Sequence, residues 1–195
     1  MLKTYVQMNN DNKGQANEVY TRYIEAKKLL NFLEGYNLKN KIIWCPFDVN
    51  TSNIVIALKE AGYIVVYTHK DTEQDFLTYT PDFDWDIMIS NPPFSKRTKF
   101  FNKINSYNKP YIMLQPIMFF NNNSMIKDLI RDSNKYRFLM PNNRMGFIIQ
   151  SGKEHIEKTK TTSFYCFWLC KDLFLDKPTF VELRDLEEQS SGEAK

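Results

Sequence analysis

The sequence predicts an α/β fold: a doubly wound, mostly parallel sheet with an antiparallel hairpin at one edge. Three observations predict it. Short β-branched runs alternate with amphipathic helical segments from residue 22 to residue 133, the pattern of parallel strands joined by crossover helices. From residue 136 on, three β-rich runs follow with no long helix between them, which sets the last strands against one another. The chain has 195 residues and is 43% apolar, enough for one domain with a substantial core and too little for two.

The elements follow in order. Residues 1–18 are polar and Asn-rich and read as an N-terminal arm. "RYIEAKKLLNFLE", from Arg22 to Glu34, carries apolar residues at helical spacing and meets Gly35 as a stop. "KIIWC" (41–45) is a short buried strand. "SNIVIALKEAG" (52–62) is a helix with Ser52 as cap and Gly62 as terminator. "YIVVY" (63–67) and "DIMIS" (86–90) are the second and third strands, and "KFFNKINSY" (99–107) is a basic amphipathic helix. "YIMLQ" (111–115) is a strand closed by Pro116, and "SMIKDLIRDS" (124–133) is a helix capped by Ser124. Then come "YRFLM", "RMGFIIQ" and "SFYCFWLCKDLF", with a charged connection at 151–162 before the last. The domain is expected to span 19–184, with an acidic, polar tail at 185–195.

Composition removes several classes of function. No apolar run approaches the ~20 residues a bilayer span needs, and the N-terminus lacks the apolar segment of a secretory signal, so the expected location is the cytoplasm. Cys45, Cys166 and Cys170 fit buried free thiols in a reducing compartment. Three cysteines and two histidines at these spacings do not suggest a zinc site, and no metal is expected. The net charge of +3 neither demands nor excludes nucleic acid. Its distribution says more: Lys96, Arg97, Lys99 and Lys103 form one cluster, and Lys153, Lys158 and Lys160 another.

One strand ends unusually. Asp86-Ile87-Met88-Ile89-Ser90-Asn91-Pro92-Pro93-Phe94 passes from a buried run into an amide, two prolines and an aromatic ring. This segment resembles the catalytic motif of S-adenosylmethionine-dependent N6-adenine methyltransferases, nearest to small phage-type enzymes and EcoRI-methylase-like proteins. The resemblance covers about Tyr20 to Leu173 and implies the class I methyltransferase fold, a Rossmann-like doubly wound sheet with one reversed strand. It implies S-adenosylmethionine as cofactor and adenine in DNA as substrate.

A physical rationale accompanies the resemblance. An exocyclic amine conjugated to a purine is a poor nucleophile because its lone pair is delocalised. Two acceptors that take both amine hydrogens favour a tetrahedral nitrogen with a free lone pair. The Asn91 side-chain oxygen and the Pro92 carbonyl are the candidates, since proline keeps its C=O while fixing φ. Pro92 and Pro93 hold these acceptors stiffly. Phe94 offers a ring for base stacking. A base within a duplex has to flip out to reach such a corner, and Lys96, Arg97 and Lys99 stand beside the motif to hold phosphates.

The cofactor side follows the family pattern less closely. The first-strand loop, Trp44-Cys45-Pro46-Phe47-Asp48-Val49-Asn50-Thr51-Ser52, contains no glycine, although a "WCPFD" loop resembles that of the phage-type relatives. Cys45, Pro46, Phe47 and Asp48 are thereby implied at the cofactor. His69, with Asp71 just beyond it, stands where an acidic residue for the ribose is usual. Asp75-Phe76 resembles the pair that flanks the cofactor's adenine. Tyr20-Thr21-Arg22 resembles a Tyr-Thr-Pro motif that contacts the methionine part, with Arg22 in place of proline. Arg144-Met145-Gly146-Phe147 and Thr162-Ser163-Phe164 resemble the family's last two strands, where Phe164, Phe167 and Trp168 read as packing.

The expected activity is therefore methyl transfer to adenine N6 in DNA, such as a phage's own genome. RNA adenine and a glutamine amide are alternatives of the same chemistry. A catalytically degenerate fold acting as a binding module against a host defence protein is an alternative of another class. The chain is short for a separate target-recognition domain. That implies modest sequence specificity, read by loops at 116–124 and 151–162, or help from a homodimer or partner subunit.

Overall fold

The computed structural model describes residues 19–149, 158–162 and 164–184, the side chains of 149 and 158–161 excepted. The expected arm, the tail, Lys153 and Ser163 lie outside the described residues.

The elements, in chain order, are β1 (Val19–Thr21), α1 (Tyr23–Glu34), β2 (Ile42–Cys45), α2 (Asn53–Glu60), β3 (Ile64–Tyr67), β4 (Ile87–Ser90), α3 (Arg97–Ser106), β5 (Tyr111–Pro116), α4 (Asn123–Arg131), β6 (Tyr136–Pro141), β7 (Gly146–Ile149), β8 (Lys158–Thr161), β9 (Cys166–Lys171) and β10 (Phe180–Leu183). Seven strands form the main sheet in the order β10-β6-β9-β5-β4-β2-β3, and β1-β7-β8 form a small one. Only β9 runs against its neighbours in the main sheet; it is antiparallel to both β5 and β6, whereas every other pairing is parallel. The topology is Rossmann-like.

Strand periodicity divides the core into two layers. Ile43, Ile87, Ile89 and Ile112 point to one face, where they meet Leu29, Leu30 and Leu33 of α1 and Val55 and Leu58 of α2. Their neighbours Trp44, Met88, Tyr111 and Met113 point to the other, where Phe100 and Phe101 of α3 and Met125 of α4 cover them. A strand buried on both faces must be apolar at consecutive positions, which is why "IIWC", "IMIS" and "YIML" carry no alternation. Helix α2 ends at a left-handed glycine: Gly62 has φ of 80°, and the Tyr63 N–H reaches back 3.1 Å to the Leu58 carbonyl.

Two expectations are corrected. The reversed strand is not an edge hairpin. β9 is inserted between β5 and β6, and the edge belongs to β10, which is parallel to β6. The reason is that β7 leaves the main sheet to pair with β1, with Tyr20 opposite Ile148, so the chain returns from the small sheet before laying down β9. Ser124 does not cap α4. Asn122 does, its side-chain oxygen accepting from the N–H groups of Ser124 at 3.1 Å and Met125 at 3.3 Å.

Candidate active site

The order β4-β2-β3 places a topological switch between β2 and β4, since the chain leaves β2 for β3 on one side and later returns to its other side as β4. Open α/β sheets bind ligands beyond the carboxyl ends of strands at such a point. Two adjoining hollows lie there. The first is lined by β1, the start of α2 at Ser52–Ile54, Phe47, Asp48, His69 and the corner Asn91–Phe94. The second is lined by Pro46, Asp75, Phe76, Ser95, Lys96 and Phe100 among others. Phe47, His69 and Pro93 belong to both and form a common wall.

Asn91 is the chemically notable group. Its amide nitrogen donates to the Val19 carbonyl at 2.8 Å. Because a carbonyl only accepts, this bond fixes which end of the amide is which. The oxygen, Oδ1, is buried with no hydrogen-bond partner. A buried acceptor without a donor is costly, and Asn91 is among the residues that line the first hollow, beside Pro92. Thr21 Oγ1 is a second orphan in the same lining, on a residue that is only 4% exposed.

Asp48 stands at the tip of β2. Its carboxyl is buried and receives the hydroxyls of Ser90 and Ser52. The Ser52 oxygen in turn accepts from Val49 N at 3.0 Å, and Ser52 N donates to the Val49 carbonyl at 2.9 Å. That reciprocal pair closes the 46–52 loop without glycine, and no residue of the loop takes a left-handed φ. Ser52 thus precedes α2 as expected, but its side chain does not cap it. The first-turn N–H groups of α2 face the hollow without a side-chain cap.

Burial raises the Asp48 carboxyl to about 6, with the two serine hydroxyls opposing the rise. The folded protein therefore holds this proton where the unfolded chain has released it. Stability contributed by the protonated group is full below about pH 4 and is lost as pH rises towards 6, amounting to about 2–3 kcal/mol. Denaturant titrations at pH 4.5 and 7.5 are expected to show that decline in the wild type and a flatter profile in Asp48→Asn. An equal slope in both proteins would exclude Asp48 as the source.

The other expected residues fall into three groups. Tyr20, Thr21, Phe47, Asp48, His69, Asn91, Pro92, Pro93 and Phe94 line the first hollow. Pro46, Asp75, Phe76 and Lys96 line the second. Cys45, Arg97 and Lys99 line neither. Cys45 faces the core beneath α1 and α2, so its thiol is turned away from the site. Lys99 is exposed on α3, and Arg97 is half-buried with Nη1 lacking a partner.

Several groups are already committed within the fold. Phe94 is 8% exposed and packs edge-on against Phe164 at 6.1 Å, so only a margin of its ring reaches the hollow. His69 Nδ1 accepts from Asp71 N at 3.2 Å. Asp71 is largely exposed, and its Oδ2 lies 3.4 Å from His69 Nδ1. Asp75 Oδ1 accepts from Leu77 N at 2.8 Å, while Phe76 packs against Phe47 at 4.7 Å. Arg22 has φ of −68°, a value that proline itself would fix.

Sequence reading overlooked Val19, Ser90, Ser52 as a hydrogen-bonding group, and Asn53, whose Nδ2 donates to the Thr21 carbonyl at 3.0 Å. Their contributions are a backbone carbonyl, two small hydroxyls and one side-chain amide. Among the described residues no cluster of three His, Cys, Asp or Glu could hold a metal ion, and no helix is long and apolar enough to cross a membrane. The chain matches no family model and no curated protein with which it was compared.

Proposed function

We propose that the protein transfers a methyl group from S-adenosylmethionine to the exocyclic N6 amine of adenine in DNA. The observation that carries the reading is the Asn91 oxygen, buried and without a partner among the described residues, on a side chain that lines the hollow and is tied through its own amide to Val19. A rigid acceptor next to the Pro92 carbonyl is what an aminopurine's two hydrogens require. A sheet with one reversed strand, inserted next to the strand that follows the motif, also agrees with a class I methyltransferase fold.

The residues present fit the cofactor. Thr21, the uncapped start of α2 and Asp48 would hold its amino-acid part. The second hollow offers an aromatic wall of Phe47 and Phe76 with the Asp75 carboxyl beside it. When bound, the cofactor supplies an electrophilic methyl on a sulfonium. The chain's own work is to orient the amine through Asn91 and Pro92, to keep the corner stiff through Pro92 and Pro93, and to hold the backbone of a flipped nucleotide. Lys96 in the lining of the second hollow, with Arg97 and Lys99 near it on α3, are the candidates for the last task. The glycine-free loop, which motivates a non-catalytic binding module, is satisfied by Ser52 instead. The other ground for the alternative, the missing acidic residue after β3, stands.

Transfer of labelled methyl across duplex DNA, single-stranded DNA, RNA and protein tests the reading. The expected product is N6-methyladenine in DNA. Label on RNA or protein alone would reassign the substrate. A folded protein with no calorimetric affinity for S-adenosylmethionine would support the binding-module alternative.

A further inference from the structure

We infer that Ser90 is a positioning residue for this site: its hydroxyl ties the tip of β4 to the loop after β2 and so sets the direction of the Asn91 oxygen. The inference rests on the adenine reading above and adds to it a residue that lies outside the four-residue motif.

β2 and β4 pair at Ile43–Ile87 and Trp44–Met88, and their register ends there. On the other side, β4 stays paired with β5 as far as Ser90–Met113. The last two residues of β4 are thus bonded to the sheet on one flank and open on the flank where the ligand cleft begins. An opening at a switch point makes room for a ligand, but it also removes the backbone bonds that would steady the strand tip. The Ser90 hydroxyl spans this opening to Asp48. Both partners are buried, Ser90 completely so, and the bond is shielded from competing water.

Asp48 is a suitable anchor because it is itself fixed from three directions. Its N–H donates to the Thr68 carbonyl beyond β3 at 3.2 Å, Ser52 at the start of α2 bonds its carboxyl, and the Val49–Ser52 pair closes the loop. The next residue after Ser90 is Asn91, whose amide is held from the opposite side by Val19 at 2.8 Å. The corner therefore has two ties at consecutive residues, one to the cofactor loop and one to β1. A reacting group displaced by about 1 Å loses around 100-fold in rate, so loss of either tie is expected to act on turnover more than on binding.

The test is Ser90→Ala, whose side chain still fills most of the buried volume. With DNA and labelled cofactor, kcat is expected to fall at least tenfold. Calorimetric affinity for S-adenosylmethionine and KM for DNA should stay within twofold. Asp48→Ala should also lower kcat, and the double variant should be no slower than the slower single one, because both remove the same tie. A second readout needs no turnover. Amide hydrogen exchange in the peptide covering 88–94 of the cofactor-free protein should quicken in Ser90→Ala. Wild-type kcat in Ser90→Ala, multiplicative losses in the double variant, or unchanged exchange would each overturn the tie. A loss of turnover in Ser90→Ala that merely parallels lost cofactor affinity would also overturn it. A wild type that methylates no adenine substrate sinks the functional reading instead, and the exchange measurement then decides the tie by itself.

Discussion

Asn91→Ala is expected to lower kcat by about 10²–10³-fold, the ~3–4 kcal/mol that one preorganised hydrogen-bonding group supplies at a developing charge. The substitution removes the orphan oxygen and, with it, the donor to Val19. Cofactor affinity should change little, because Thr21, Asp48 and the start of α2 remain in the lining. Folding stability should not suffer greatly, since the lost 2.8 Å bond is offset by removal of an unsatisfied buried acceptor. Asn91→Asp separates two contributions. It keeps acceptor oxygens at the corner but turns a carboxylate towards the Val19 carbonyl, so its rate should fall between wild type and alanine. Single-turnover transfer to an adenine-containing duplex reads all three proteins. Equal rates in wild type and Asn91→Ala would remove the amide from the mechanism.

The same corner shows how far sequence alone reaches. Strands and helices from β2 to α4 were legible because each is bounded by a chemical stop, such as Gly62 or Pro116, and because strands buried on both faces read as unbroken apolar runs. What was not legible depends on partners far apart in the chain. β1 is three residues long and has no pattern of its own; it exists because β7 pairs with it. β10 was missed because "FVEL" is short and lies on an exposed edge where only the Leu183 side chain is buried. The insertion of β9 between β5 and β6 follows from the detour through the small sheet, which no local propensity records. At the site, Asn91 and its two prolines could be found from residue types. Their ties could not: a Val19 carbonyl and a Ser90 hydroxyl carry no sequence signature. Phe94 shows the opposite limit, since a ring suited to stacking is mostly occupied by Phe164.

Arg137→Met is expected to lower stability by about 3 kcal/mol, or about 6–12 °C in melting temperature for a domain of this size. Arg137 stands second in β6 within an otherwise apolar strand and is 8% exposed. Its guanidinium donates to four backbone carbonyls: Lys177 and Leu175 at 2.7 Å, Tyr136 at 2.7 Å and Asn134 at 3.0 Å. Two of these lie in the connection from β9 to β10, where Asp172 and Phe174 adopt left-handed φ of 55° and 57°. Such residues are strained unless the surroundings hold them, and the arginine fork is what holds this turn from beneath. Methionine fills much of the volume but satisfies none of the carbonyls. Lysine, with a single ammonium in place of a planar fork, should recover less than half of the loss. Because β6 runs parallel to β5, residue 137 lies at the end of the sheet opposite the strand tips that carry Asn91. Turnover measured well below the melting temperature should therefore match the wild type. A melting temperature within 2 °C of wild type would show that β10 is held by its pairing with β6 and by Phe180 stacking on Phe138, rather than by the arginine.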